Sequence, residues 1–361
     1  MAPGATAAAA AHATPDSRKI AAAIRAIPSA WFKPDPRVYW PDMLASALAG
    51  WTAFVFSVLA TDVRLRAALL IVAAFALYRA VLFIHELTHL ASRELPAFRA
   101  AWNALVGVPM LIPSFLYEGV HTDHHRQRSY GTVADPEYIP FGRRPPILIA
   151  TYALGSLFVP VALAFRFGVL APLSWIVPPL RRVTVDRCSA LVINHEYVRQ
   201  APMDRAALIE EIASTAVVWA AIGLWWAGVL PLAAFICWLI VTGVVSTINA
   251  VRTLAAHRYD HDEGVELSDV TQLLDTCTLA PEAGIRGWTG TVWRVLCAPV
   301  GLRYHALHHW IPSLPYHNLG RAHRLLVSTL TGDAPYIATQ HRAIAPLVAD
   351  LIRRARTHTR A

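Results

Sequence analysis

Long apolar blocks alternate with polar segments along this chain. Four blocks of about 18 residues carry almost no charge, and each is long enough to cross a bilayer core of about 30 Å as a helix. They are residues 43–60, 67–84, 212–230 and 231–248. Only residues 61–66 separate the first two, and Gly228 to Pro231 provide the turn between the last two. The pattern therefore predicts an all-α integral membrane protein with four transmembrane helices in two hairpins.

Two further apolar stretches, 102–116 and 147–177, lie between the predicted hairpins. Proline at positions 109 and 113 interrupts the first stretch, and the second contains Arg166 in its middle. A charged side chain is costly at the centre of a bilayer, so we expect both stretches to be interfacial or re-entrant.

Composition agrees with a membrane protein. Hydrophobic residues make up 55% of the 361 residues, and charged residues make up 16%, against about 25% in soluble proteins. The net charge is +8, carried almost entirely by arginine. The arginines cluster before the first block, between the hairpins and in the C-terminal tail, where the positive-inside rule explains them without nucleic-acid binding. This rule places both termini and the segment between the hairpins in the cytoplasm.

Three regions follow from these patterns. Residues 1–38, which begin with an alanine-rich, low-complexity stretch, are expected to form an N-terminal tail that is partly disordered. Residues 39–330 are expected to form the membrane domain, and residues 331–361 a cytoplasmic C-terminal tail.

The chain contains 16 histidines, and their grouping is more informative than their number. Three clusters, called the histidine boxes, have the patterns HxxxH, HxxHH and HxxHH, and a lone His257 follows the fourth apolar block. The boxes contain His85 and His89, then His121, His124 and His125, then His305, His308 and His309.

Residues at i, i+3 and i+4 share one face of a helix, so each HxxHH run is expected to direct three imidazoles to one place. Imidazole binds iron, copper, nickel and zinc. Eight such ligands are too many for one ion and suit two. The boxes also share one side of the membrane in the four-helix arrangement, so they are expected to form a cytoplasmic helical cap.

The three boxes and their order resemble the membrane fatty acid desaturase superfamily. The resemblance extends to Asp135-Pro136-Glu137 after the second box and to Leu314-Pro315-Tyr316-His317 after the third. It spans most of the chain from about residue 43 to residue 323. One departure from the acyl-CoA desaturases is Thr253, which stands where they carry an asparagine four residues before the histidine that corresponds to His257.

The resemblance implies a diiron centre with nine ligands, namely His85, His89, His121, His124, His125, His257, His305, His308 and His309. It implies two non-haem iron ions, with O2 as co-substrate and a lipid or acyl chain as substrate. Iron activates O2, whereas zinc has no redox chemistry. Electrons are expected from a separate ferredoxin or a cytochrome b5-like protein with its reductase.

Four residues near the boxes are candidates for contacts that orient the ligands: Asp135, Glu86, Asn249 and His317. A carboxylate beside an imidazole commonly fixes its orientation in metal sites. For Asp135, a turn-capping role before Pro136 remains an equal alternative.

The leading hypothesis is an O2-dependent desaturase that introduces a double bond into an acyl chain. The boxes leave open a hydroxylase or ketolase acting on a lipid or a carotenoid with the same scaffold. Glu86 also gives the first box the form HExxH, which is typical of zinc hydrolases, with Asp275 as the nearest distal acidic ligand. A non-catalytic metal-handling membrane protein is a further alternative.

Overall fold

The computed structural model describes residues 22–91, 93–261, 267–280, 296–330, 332 and 334–360, which are mostly helical. The helices and strands are α1 (Pro36–Leu59), α2 (Val63–Val81), α3 (Phe83–His89), α4 (Phe98–Trp102), α5 (Val120–His125), α6 (Ile147–Gly155), α7 (Val159–Phe165), α8 (Ala171–Ile176), α9 (Pro178–Cys188), α10 (Arg205–Trp226), α11 (Leu232–Leu254), α12 (Asp269–Asp275), β1 (Thr278–Leu279), α13 (His305–Trp310), α14 (Tyr316–Thr329), α15 (Pro335–Ala338), β2 (Gln340–His341) and α16 (Ile344–Arg360). The two short strands pair in parallel.

The long helices extend beyond the apolar blocks that predict them. Asp35, Asp62 and Asp204 precede α1, α2 and α10, and each side chain accepts a hydrogen bond from a backbone N–H in the first turn. Such caps satisfy backbone donors that a helix leaves free at its N-terminus. The helices therefore begin at polar residues, up to seven positions before the predicted blocks.

The two predicted hairpins differ in how their helices pack. Helices α1 and α2 lie against each other along their lengths. Helices α10 and α11 are joined by a tight turn in which Gly228 has a φ of 74°, a conformation that favours glycine. They are splayed apart, because residues 147–176 lie between them.

Residues Ile147–Ile176 form a helix of 30 residues that is interrupted by 3-10 and π turns. Its first part follows α11, where the Ser156 hydroxyl donates to Thr247 Oγ1 at 3.2 Å. Its later part follows α10, where Arg166 and Trp175 donate to the two oxygens of Glu211 at 2.6 and 3.1 Å. The carboxylate of Glu211 thus neutralises the arginine that interrupts this apolar stretch.

Within the part of the chain that the structure describes, five helices are long and apolar enough to cross a membrane, one more than the sequence predicts. The additional helix is Ile147–Ile176, which the sequence assigns to the interface or to a re-entrant segment. Residues 102–116 form short turns of π and 3-10 type and contain no such helix. The alanine-rich start of the expected N-terminal tail, residues 1–21, lies outside the described residues.

Candidate metal centre

Nine imidazoles from distant parts of the chain converge where α3, α5 and α13 meet the end of α11. They form two adjacent groups, and within each group one nitrogen of every ring lies within 4.8 Å of the others. The five-histidine group contains His85, His89, His121, His125 and His308. The four-histidine group contains His124, His257, His305 and His309. These are the nine residues that the resemblance implies as ligands.

Each HxxHH box is divided between the two groups. His121 and His125 join the five-histidine group, while His124 joins the four-histidine group. The third box divides in the same way, with His308 separated from its two neighbours in the box. The expectation that each triplet points to one place is therefore wrong. On a helix with 3.6 residues per turn, positions i and i+4 differ by about 40°, whereas i+3 and i+4 differ by about 100°.

Imidazole nitrogens face one another across both groups. His125 Nε2 lies 2.9 Å from His121 Nε2 and 3.1 Å from His308 Nε2, and His305 Nε2 lies 2.8 Å from His257 Nε2. Two nitrogen ligands about 2.1 Å from one ion, at right angles, lie about 3 Å apart. The spacing of these nitrogens therefore suits ligands of a shared cation.

Several ring nitrogens of the two groups are buried without a hydrogen-bond partner among the described residues. They include Nε2 of His89, His124 and His309, and both ring nitrogens of His85. Buried polar atoms in folded proteins are normally paired, so unpaired nitrogens at this density fit the role of metal ligands. A nitrogen-only donor set of this kind fits iron, copper, nickel or zinc.

Carboxylates fix the orientation of two rings of the second box. His124 Nδ1 lies 2.8 Å from Asp135 Oδ1, which leaves Nε2 directed into the four-histidine group. His121 Nδ1 lies 2.6 Å from Glu137 Oε1 and 2.9 Å from the Tyr117 hydroxyl. Carboxylate–imidazole pairs of this kind set the tautomer and raise the basicity of the ligand.

A third ring is oriented through a tyrosine. His257 Nδ1 lies 2.8 Å from the hydroxyl of Tyr130, which in turn donates to Asp275 Oδ2 at 2.8 Å. Asp275 Oδ2 itself is 3.6 Å from His257 Nδ1, beyond hydrogen-bond distance. Sequence patterns did not identify Tyr130, Tyr117 or Glu137 as orienting residues, although Glu137 is part of the motif that carries the resemblance.

The electrostatic environment keeps most of these histidines neutral. Burial lowers the pKa of His121, His125, His305, His308 and His309 well below the usual value, and neighbouring histidines lower it further. A neutral imidazole keeps the lone pair that a metal ion requires.

His124 is the exception among the rings of the second box. Burial lowers its pKa, but the adjacent Asp135 carboxylate outweighs burial and raises the pKa above its usual value. For Asp275, burial raises the pKa, but contacts with His257 and Tyr130 bring it below its usual value. Both pKa shifts arise because carboxylates stabilise positive charge at the four-histidine group.

Of the four predicted orienting residues, only Asp135 contacts a clustered imidazole. Glu86 Oε1 is 3.8 Å from His85 Nδ1, and its Oε2 accepts hydrogen bonds from the Tyr39 hydroxyl and the Tyr316 N–H. As the residue after His85, Glu86 is rotated by about 100° around the helix, away from the imidazoles.

The other two predicted orienting residues also lie apart from the ligands. The Asn249 side chain accepts hydrogen bonds from Arg252, and His317 packs against Tyr39 and Tyr316. Neither belongs to either histidine group.

The arrangement also conflicts with an HExxH zinc hydrolase. Such a hydrolase uses the glutamate as a general base beside the metal. In this structure the Tyr39 hydroxyl donates a hydrogen bond to the Glu86 carboxylate. Asp275 lies beside His257, a member of the four-histidine group, and that group contains neither His85 nor His89.

A cavity of about 370 Å³ adjoins the five-histidine group, with His85 in its wall. The surrounding residues come from the end of α2, from α6 and α7, and from the last turns of α11. Most of the wall is apolar, and the polar side chains include Tyr117, Glu137, Asn249 and Arg252. Small-molecule sites typically have this combination of apolar walls and a few polar groups.

Two comparisons with known proteins agree with this site. The sequence profile of the family described as fatty acid desaturase matches residues 63–340, which include all nine clustered histidines. The chain is also 38% identical over 325 residues to a protein named ceramide hydroxylase from Caulobacter vibrioides (strain NA1000 / CB15N). That alignment covers 90% of this chain and 90% of the relative.

We predict two iron ions per purified chain, and a loss of about one ion when His309 is replaced by alanine. His309→Ala removes one of the four imidazoles of the four-histidine group, which would hold the second ion. His317→Ala is the matched control, because it removes a nearby histidine that lies outside both groups. Metal content is measured by plasma mass spectrometry. Equal iron in wild type and His309→Ala, or a loss of iron in His317→Ala, contradicts the ligand assignment.

We also predict that Asp135→Asn weakens metal retention by about 10- to 100-fold, the usual effect of removing a carboxylate behind a histidine ligand. Glu86→Gln should affect retention much less, because Glu86 binds Tyr39 and no clustered imidazole. Both variants replace a buried carboxylate with its amide, and competition with a graded chelator measures retention. A greater loss in Glu86→Gln than in Asp135→Asn would reverse the roles of these two carboxylates.

Proposed function

The chain belongs to the fatty acid desaturase family, and on that premise we propose that it is an iron-dependent hydroxylase of a ceramide-type membrane lipid. The observation that supports metal-dependent oxidation is the convergence of nine imidazoles beside an apolar cavity. The preference for hydroxylation over desaturation rests on the relative, whose printed name is ceramide hydroxylase.

Two iron ions would be held by the five-histidine and four-histidine groups. When bound, the iron ions would supply the oxidising power that O2-dependent attack on an unactivated C–H bond requires. One oxygen atom enters that bond and the other leaves as water, which consumes two electrons and two protons. A separate electron donor, either a ferredoxin or a cytochrome b5-like protein with its reductase, would supply the electrons.

The chain's own residues position the ligands and the lipid. Asp135 and Glu137 hold the Nδ1 atoms of His124 and His121, so that the Nε2 atoms face the two groups. The apolar wall of the cavity binds an alkyl chain and excludes water beside His85. Exclusion of water strengthens electrostatic contacts at the reacting carbon and prevents side reactions.

We further propose that four helices cross the membrane and that Ile147–Ile176 is re-entrant. Both flanks of this helix are anchored near the histidine groups, because Gly142 N–H donates to Tyr259 O at 2.9 Å and Ile193 N–H donates to Pro136 O at 2.8 Å. Residues 177–192 connect the end of the helix to Ile193, and α9 forms most of this connection. A return across the bilayer would place the charged residues of α9, among them Arg181, Arg182 and Asp186, in hydrocarbon, which is costly.

The arginine distribution supports a cytoplasmic location for the histidine groups and both termini. Cysteine labelling tests this topology in a Cys188→Ser background. With Arg64→Cys, a membrane-impermeant maleimide should label intact spheroplasts, because Arg64 is exposed in the first turn of α2, next to the α1–α2 connection. With Arg144→Cys or Arg182→Cys, labelling should require permeabilised cells. Labelling of residues 144 and 182 from opposite sides would instead make Ile147–Ile176 a fifth span.

Lipid profiling tests the proposed reaction. A host that makes ceramides and expresses this chain with an electron donor should accumulate a ceramide heavier by one oxygen, and 18O2 should label that atom. A product lighter by two hydrogens would instead establish desaturation. An unchanged ceramide profile with an active donor, but with oxidised fatty acids or carotenoids, would overturn the substrate assignment.

The same profiling tests the cavity as the site of the alkyl chain. A side chain added at Gly155 meets no atom within 4 Å at Cβ, and Gly155 lines the cavity with helical φ and ψ of −60° and −28°. Gly155→Phe should therefore fold and reduce product at least about 10-fold by occupying the cavity, since tenfold corresponds to only about 1.4 kcal/mol. Gly223→Phe is the matched control on α10, where a Cβ also meets nothing and no cavity adjoins. Equal product from both variants would exclude this cavity.

A further inference from the structure

Arg252 is a buried cation in the last turn of α11, with 9% of its surface exposed. Its guanidinium donates to Asn249 Oδ1 at 3.2 and 3.3 Å and to Thr253 Oγ1 at 2.7 Å. Both acceptors are neutral. Among the described residues, no carboxylate oxygen lies within 4.0 Å of it. Arg252 thus neither reaches the surface nor forms an ion pair, the two roles expected of arginine near the end of a span.

Two other arginines of the long apolar helices are paired with carboxylates. Arg166 contacts Glu211 at 2.6 Å, and Arg79 contacts Asp42 at 2.6 Å. Burying a charge without a counter-charge is costly, and proteins generally retain such a charge where it has a function. Arg199 is also buried and outside any ion pair among the described residues, but backbone carbonyl oxygens accept its hydrogen bonds, whereas Arg252 borders a cavity. The position of Arg252 therefore suits a partner that binds in this cavity.

The location of Arg252 identifies that partner as part of the ligand. Arg252, Asn249 and His85 line the same cavity, whose remaining wall is mostly apolar. Arg252 also lies five residues before His257, a member of the four-histidine group. A lipid in this cavity therefore meets one buried cation close to the imidazoles, together with the polar side chains of Tyr117, Glu137 and Asn249, while most of the wall is apolar.

We propose that Arg252, held by Asn249, binds an oxygen of the lipid's polar headgroup, and that this contact sets which carbon is oxidised. For a ceramide-type lipid, the acceptor is the amide carbonyl oxygen or a neighbouring hydroxyl. Arg252 is a positioning residue: it fixes the headgroup beside the histidine groups, so oxidation occurs within a few bonds of the amide. This inference rests on the proposed function for the identity of the lipid.

The size of the cavity fits this placement. About 370 Å³ is near the lower end of small-molecule sites, and a complete two-chain lipid is larger. The headgroup and the adjoining carbons therefore occupy the cavity, while the remaining alkyl chains extend into the bilayer. A hydrogen bond to a charged donor contributes about 1.5–3 kcal/mol, which corresponds to about 10- to 150-fold in affinity.

The test compares two probes on the iron-loaded protein in lipid nanodiscs. N-hexanoyl-sphinganine and a hydrocarbon of matched chain length each displace a fluorescent ceramide, and no O2 or electron donor is added. Wild type should bind the ceramide probe more tightly than the hydrocarbon by at least about 10-fold, the lower limit for one charged hydrogen bond. Arg252→Met should abolish that preference, leave hydrocarbon binding unchanged and retain both irons. Arg64→Met, which removes an exposed arginine from the first turn of α2, should behave as wild type.

An unchanged preference in Arg252→Met, or equal weakening for both probes, would overturn the proposal. If Arg252→Met does not fold or loses iron, Arg252→Lys decides, because it keeps the charge but loses the planar fork of donors. Arg252→Lys should bind the hydrocarbon as wild type does, and its preference for the ceramide probe over the hydrocarbon should be several-fold smaller. If Arg252→Lys folds, retains iron and keeps the full preference for the ceramide probe, that result would contradict the assignment of the headgroup contact to the guanidinium.

Product mapping separates this inference from the proposed reaction. Wild type should oxidise one carbon near the amide, and Arg252→Met should give less product, spread over several positions. If wild type forms no hydroxylated ceramide, the binding comparison still tests Arg252. If wild type does form it and Arg252→Met keeps the same position and amount, the reaction stands and the positioning role fails.

Discussion

The structure depends on a concentration of neutral imidazoles whose nitrogen lone pairs face one another away from water. His125 Nε2, for example, lies about equally far from His121 Nε2 and His308 Nε2 at 2.9 and 3.1 Å. One shared proton cannot satisfy three nitrogens, and burial prevents water from doing so. Metal cations at the two groups would meet this requirement for all nine rings at once.

The surrounding helices and side chains position these imidazoles. The boxes lie on helices of only six or seven residues, or at the end of such a helix, so that rings from α3, α5 and α13 approach closely. The splayed α10 and α11 hold residues 147–176 between them and leave the cavity beside His85. Asp135, Glu137 and the Tyr130–Asp275 pair then turn individual rings toward their groups. The oxidising site and the lipid-binding site are therefore built from the same helix ends.

The spacing of apolar residues predicted the helical class, and the resemblance to the desaturase superfamily implied which nine histidines converge. The same spacing placed the helix starts too late, since capping by Asp35, Asp62 and Asp204 lies outside the apolar blocks. The HxxHH pattern did not predict that the histidines of each box are divided between the two groups. The division follows from the rotation of about 100° between successive residues on a helix.

Contacts between distant segments were beyond such patterns. Tyr130 and Asp275 are 145 residues apart, and no spacing rule connects them. Glu86 was assigned to the ligands by proximity in sequence, whereas its partner, Tyr39, is 47 positions earlier. Arg252 is visible in the sequence as a charge near the end of an apolar block, but only the structure shows that it forms no ion pair with a described residue.

Diffraction at the iron absorption edge tests the central claim most directly. The account predicts two anomalous peaks, one within the five-histidine group and one within the four-histidine group. A single peak, or peaks outside these groups, would contradict it.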